Sequence, residues 1–149
     1  MRCIFVFLAL IAGPALGDLR NNDDGTVSEP EGSLVWTAMG NGEDINFPDA
    51  RDHCAGLGLA ARSDWRLPTL EEAKSLYRPD KEPRNSYEYR GKSYPLRIDD
   101  AFSLTAPGIW TSSASYRGVP TTFLFSSGRD FSWRGEHSNF SRVLCVRQR

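Results

Sequence analysis

The residue pattern predicts an α+β fold, with two helices packed on a mainly antiparallel, twisted sheet. Two segments carry helix-capping residues followed by apolar positions at helical spacing. Several short runs of β-branched and aromatic residues are bounded by Gly, Pro, Asp and Ser. The chain has 149 residues, 40% hydrophobic and 25% charged, which suits one compact domain rather than two. A formal charge of -1 argues against a general nucleic-acid binder, which shows a strong basic excess.

Residues 1–17 have the layout of a secretory signal peptide. Met1-Arg2 is a short positive start, and Cys3 to Ala12 is an apolar run of ten. Gly13-Pro14 breaks that run, and Ala15-Leu16-Gly17 places small residues where a signal peptidase reads, predicting cleavage before Asp18. Ten apolar residues fall short of the roughly 20 that span a bilayer, so no membrane span is expected after signal removal. No Cys stands at the junction, which argues against a lipid anchor. The mature domain is then residues 18–149.

Asp24-Gly25 marks a tight turn leading into Thr26-Val27 and then Leu34-Val35-Trp36. A calcium-loop reading of this segment puts Arg20 at the first ligand position, which a cation excludes. Asn46 can cap a first helix, with Asp49 three residues on and Ala50, Cys54 and Leu57 on one face. Gly56 and Gly58 end it. Thr69-Leu70-Glu71-Glu72 is a capping box for a second helix, whose apolar stripe is Ala73, Leu76 and Tyr77. From Arg78 to Asp100 the pattern becomes a long polar stretch without periodicity, expected to be a surface loop. Strands are predicted at Ile109-Trp110-Thr111, Thr122 to Phe125, Asp130 to Trp133 and Arg142 to Val146, with Ser126 to Arg129 joining the middle two.

Once the leader is removed, Cys54 and Cys145 are the remaining cysteines. In an oxidising compartment the favoured reading is one disulfide. The alternative is a reactive or metal-binding pair. No Cys-x-x-Cys occurs, and His53, adjacent to Cys54 on a helix, points about 100° away from it. No metal or cofactor is expected.

Asn22 to Val27, Leu34-Val35-Trp36, Ser63-Asp64-Trp65-Arg66-Leu67-Pro68-Thr69, Ile109 to Ser113 and Leu144-Cys145-Val146-Arg147 occur in this order along the chain. Together they resemble the Lcl C-terminal domain family, named from the Legionella collagen-like adhesin. The resemblance implies a C-type-lectin-like fold in which a disulfide ties the first helix to the last strand, the positions of Cys54 and Cys145. Its best-understood member binds sulfated glycans as a trimer, through a chain that also carries a collagen-like repeat absent here. The calcium and sugar triplets of C-type lectins are not matched. Glu82-Pro83-Arg84 precedes Trp110, in the wrong order, and Trp110 is followed by Thr-Ser-Ser.

Catalytic chemistry is not legible. His53 and His137 are the only histidines, and neither has a neighbouring nucleophile or acid in triad arrangement. Glu71-Glu72 and Asp99-Asp100 suit helix-start and loop roles. The same broad fold includes formylglycine-generating oxidases, but these need a reactive cysteine pair that this chain does not have spare. The expectation is a noncatalytic binding module in the periplasm or outside a Gram-negative cell. An enzyme with an unrecognised site and an accessory subunit of an envelope assembly are the alternatives.

Charge is distributed unevenly. From Asp18 to Asp100 the net charge is -6, and from Ala101 onward it is +4, with six Arg and no Lys. Arg suits bidentate recognition of carboxylate and sulfate. Arg117, Arg129 and Arg134, with Tyr116 and Trp133 beside them, are the candidate ligand-binding residues for an anionic polysaccharide, a protein being the other candidate partner. The bland alternative is that these arginines pair with the acidic first half. The oligomeric state is not legible.

Overall fold

A computed structural model describes residues 18–132, 134–136 and 140–149. The predicted leader therefore lies outside the described residues. In chain order the elements are β1 (Arg20–Asn21), β2 (Thr26–Ser28), β3 (Leu34–Thr37), α1 (Phe47–Ala55), α2 (Leu70–Ser75), β4 (Asn85–Tyr89), β5 (Lys92–Leu96), β6 (Gly108–Ala114), β7 (Pro120–Leu124), β8 (Arg129–Ser132), β9 (Ser141–Arg142) and β10 (Val146–Gln148). The class is α+β, with two short helices and strands that pair antiparallel except for β6 with β9. The strands divide among three sheets rather than joining in one: β1-β2-β3-β10, β4-β5 and β8-β7-β6-β9.

Both helix starts follow the sequence chemistry. The Asn46 side chain accepts the Asp49 amide of α1 at 2.9 Å, and Thr69 and Glu72 close the capping box of α2. Each satisfies backbone donors that a first turn leaves unpaired. The first helix stops at its Gly56 cap. The Asp24-Gly25 turn also forms as expected, with Gly25 at φ 85, a conformation glycine adopts without a Cβ clash.

Two central strands feed two cores because alternate side chains leave opposite faces of a strand. Trp36 of β3 and Ile109 of β6 enter a large cluster with Leu76, Leu96, Phe102, Phe123 and Leu144. Val35 and Trp110, their neighbours in sequence, enter a second cluster with Ala50, Cys54, Trp65, Leu67 and Cys145. Each fully buried aliphatic or aromatic side chain contributes about 1.5–3 kcal/mol relative to exposure.

Two expectations are corrected. The polar stretch 78–100 contains the β4-β5 hairpin, turned by Arg90 and Gly91 at φ 50 and 73. This is the positive-φ pair of a two-residue hairpin turn. Its strands are mostly exposed, and the alternation of Tyr87 with Tyr89 and of Tyr94 with Leu96 spans only two apolar positions in each; Tyr87 and Tyr94 stack across the pair at 5.2 Å. The expected strand from Arg142 to Val146 is split between β9 and β10. Val143, Leu144 and Cys145 are all buried, and side chains replace part of the ladder there. Asn41 Oδ1 accepts the Val143 amide at 3.0 Å and Thr37 Oγ1 accepts the Cys145 amide at 3.1 Å. The strand expected from Asp130 to Trp133 is present as β8, described from Arg129 to Ser132, and Trp133 lies outside the described residues.

Candidate functional site

The site is built outward from the bridge. Cys54 on α1 and Cys145, 91 residues apart, form a disulfide with a Cα–Cα distance of 5.5 Å. This fixes the chain entering β10, which pairs with β3 on one side. On the other side Val146 exchanges two backbone hydrogen bonds with Arg66, each 2.9 Å. A strand of three residues is thereby clamped from both sides, and it carries Arg147 with Arg149 just beyond.

Register then sets a row across the first sheet. Arg20 of β1 faces Ser28 of β2, Ser28 faces Val35 of β3, and Val35 faces Arg147 of β10. Residues directly opposite one another share a face, so the long Arg side chains rise at the two edges and short ones form the floor between them. The result is a groove of about 450 Å³ bordered by Arg20, Arg147 and Arg149, with Asn22, Asp24, Thr26 and Ser28 along it. That volume lies within the range typical of ligand clefts, about 300–1,000 Å³.

The floor is ordered by its own hydrogen bonds. Asp24 Oδ1 accepts from both the amide and the hydroxyl of Thr26, at 3.0 and 2.5 Å. Asn22 donates to Thr26 Oγ1 at 2.9 Å and accepts from the Ser28 hydroxyl at 3.0 Å. The Arg147 guanidinium lies over the Trp65 ring, 5.5 Å from its centroid, and donates through Nη1 to the Gln148 carbonyl at 2.7 Å. Its Nε is buried without a hydrogen-bond partner. Arg149 donates to the Glu29 carbonyl at 3.0 Å.

The residues singled out from sequence lie elsewhere. Arg117 and Tyr116 occupy the turn between β6 and β7, with the guanidinium 5.3 Å from the centroid of its neighbour's ring. Tyr116 is 91% exposed. The strands β7 and β8 are neighbours, as expected, pairing Thr121 with Ser132 and Leu124 with Arg129. Arg129 therefore sits at one end of the pair. Exposed Arg134 follows its other end, the end at which the Arg117 turn enters β7. Three residue steps along a strand are about 10 Å, so the structure groups Arg117 with Arg134 and separates Arg129 from them. Trp133 is outside the described residues.

Other arginines are already engaged. Arg66 makes two hydrogen bonds to the Glu72 carboxylate, both 2.8 Å, and Arg51 pairs with Asp52 at 3.4 Å; both border an apolar slot of about 270 Å³ beside Phe47 and Trp65. The Arg66 hydrogen bonds hold the Glu72 carboxyl below its ordinary value, against the opposing effect of partial burial. Asp64 is lowered likewise, chiefly by its hydrogen bond from Arg62, with Arg147 adding a weaker favourable field. Among the described residues, no group of three His, Cys, Asp or Glu could hold a metal ion, and no helix is long and apolar enough to cross a membrane.

The groove was not legible in the sequence because Arg20 and Arg147 are 127 positions apart, near opposite ends of the described residues. Only the return of β10 to β3 brings them onto one sheet. The available signal was the pair Arg147 and Arg149, whose spacing of two puts both on one face of a final strand.

These features define a disulfide-closed α+β domain with an arginine-bordered polar groove. The chain belongs to the Lcl C-terminal domain family, whose pattern it matches over residues 25–147. A stretch of 100 residues is 33% identical to part of a DNA ligase of Dehalococcoides mccartyi (strain ATCC BAA-2266 / KCTC 15142 / 195), covering 62% of this chain and 15% of the ligase. No solved structure matches the chain.

Proposed function

We propose that this domain is an exported, noncatalytic, C-type-lectin-like module that binds an anionic polysaccharide, in the periplasm or outside the cell. One observation carries the reading. Of the six Arg after Ala101, Arg142 pairs with Asp44 at 3.4 Å. Among the described residues, the other five make no ion pair. The acidic first half makes no contact ion pair with these five, its one field on them being the weaker one between Asp64 and Arg147, so their charge is available to a ligand. The disulfide supports export, since such bonds persist in oxidising compartments. A module of this size is also compatible with the likeness to a small segment of a much larger enzyme, and the ligase's chemistry is not carried over to it.

Protein recovered from the periplasm of an expressing bacterium should be retained on dextran sulfate at low salt and not on neutral dextran. Elution should be steep in salt, because exposed charges are screened beyond about 8–10 Å at physiological ionic strength. No retention at low salt overturns the polysaccharide reading and makes a protein partner the better one. N-terminal sequencing of the same material should begin at Asp18, and a chain starting at Met1 overturns the leader.

A further inference from the structure

We infer that the groove between β1 and β10 is the seat of the ligand, and that it takes a carboxylate-bearing sugar of a polyuronate rather than a densely sulfated chain. The inference rests on the anionic-polysaccharide reading and goes further in naming the place and the acid.

Convergence distinguishes this groove from the rest of the arginine-rich half. Arg20, Arg147 and Arg149 line one concavity, whereas Arg117 and Arg129 are at opposite ends of β7. None of the three groove arginines makes an ion pair among the described residues. Arg147 is held in place by the Trp65 ring and one backbone carbonyl, so an anionic oxygen arriving in the groove would meet a guanidinium already fixed in position. Arg forks match the planar, two-oxygen geometry of a carboxylate.

The remainder of the lining selects among anions. Asp24 adds a negative charge, and its Oδ2 has no hydrogen bond among the described residues while Oδ1 is occupied by Thr26. A chain with several sulfates per sugar would place like charge against it. A sugar with one carboxylate and free hydroxyls brings the carboxylate to arginine and a hydroxyl donor to Asp24. Asn22, Thr26 and Ser28 supply further polar edges of the kind that fix a sugar's orientation.

The test compares binding of oligogalacturonate and dextran sulfate by three proteins. They are the wild type, an Arg20→Gln/Arg149→Gln groove variant, and an Arg117→Gln/Arg129→Gln/Arg134→Gln variant. Arg147 is left intact because it packs on Trp65; the substituted groove arginines are exposed, so thermal unfolding should be unchanged. The groove variant should bind oligogalacturonate about tenfold or more weakly, the scale of losing charge-assisted contacts, while the other variant changes less than about threefold. A fourth protein, Asp24→Asn, should gain affinity for dextran sulfate relative to oligogalacturonate. Loss confined to the Arg117/Arg129/Arg134 variant, or equal loss in both, overturns the groove and leaves anionic binding standing. Wild-type binding to dextran sulfate alone overturns the uronate ligand. Binding to neither polymer overturns the underlying reading as well.

Discussion

The two helices are fastened to the same body by unlike means. The first, nine residues long, buries Ala50 and Cys54 at a spacing of four and is bonded covalently to Cys145. The second, six residues long, is held at its start by polar contacts. The capping box closes it, Ser113 Oγ accepts the Leu70 amide at 2.9 Å, and Arg66 grips Glu72 from the preceding loop. An isolated helix of either length is unstable in water, so each depends on its fastening. A covalent tie fails with reductant and is indifferent to acid; a carboxylate tie does the reverse. The difference also reaches the groove, since the covalent tie fixes the chain just before Arg147.

Breaking the covalent side should have the largest effect. A Cys54→Ala/Cys145→Ala variant should lose about 2–5 kcal/mol, the usual cost of removing a native disulfide from a small domain. Urea unfolding measures it. Reductant should bring the wild type down to the variant and leave the variant unchanged; a reductant effect on both would show that the bridge is not the tie. Nonreduced wild-type protein should weigh two hydrogens less than reduced protein. On the polar side, Thr69→Ala removes the hydroxyl that accepts the Glu72 amide at 3.2 Å and should cost about 1 kcal/mol. A loss as large as that of the disulfide variant would erase the distinction between the two fastenings.

What was legible in the sequence follows the same division. Asn46, Thr69 and Glu72 announce their helices because capping is local chemistry, read within four residues. The cysteine pair could be read by arithmetic, without geometry. The β4-β5 hairpin was hidden because its strands are mostly exposed, with only Leu96 fully buried, and its Arg-Gly turn lacks the usual Asn or Asp signal. The segment 142–146 looked like a strand because it is apolar, but burial on all sides lets Asn41 and Thr37 take its amides. The groove depends on which strands lie side by side, and no local pattern in β1 announces that β10 completes its sheet.

The smallest effect, and the sharpest in form, is expected from Glu72→Gln. Gln retains an oxygen for the Thr69 amide, which Glu72 accepts at 2.8 Å, but gives up the charge that Arg66 grips. The Arg66 side chain is 41% exposed and Glu72 18%, so solvent screens the pair and the cost at neutral pH should stay below about 1 kcal/mol. The sign of its pH dependence follows from the lowered Glu72 pKa. Folding favours the ionised carboxyl, so this stabilisation is fully present above the unfolded Glu value of about 4.3 and disappears as pH falls through the lower folded value. Glutamine binds no proton in either state. The stability difference between wild type and variant should therefore be flat from neutral pH down to about 5 and close below about 4. An Asp64→Asn control, with its pair half exposed on both sides, should show a weaker acid dependence. A Glu72 difference that persists undiminished in acid would assign the contact to packing and capping alone, and the second helix would then be fastened without its charge.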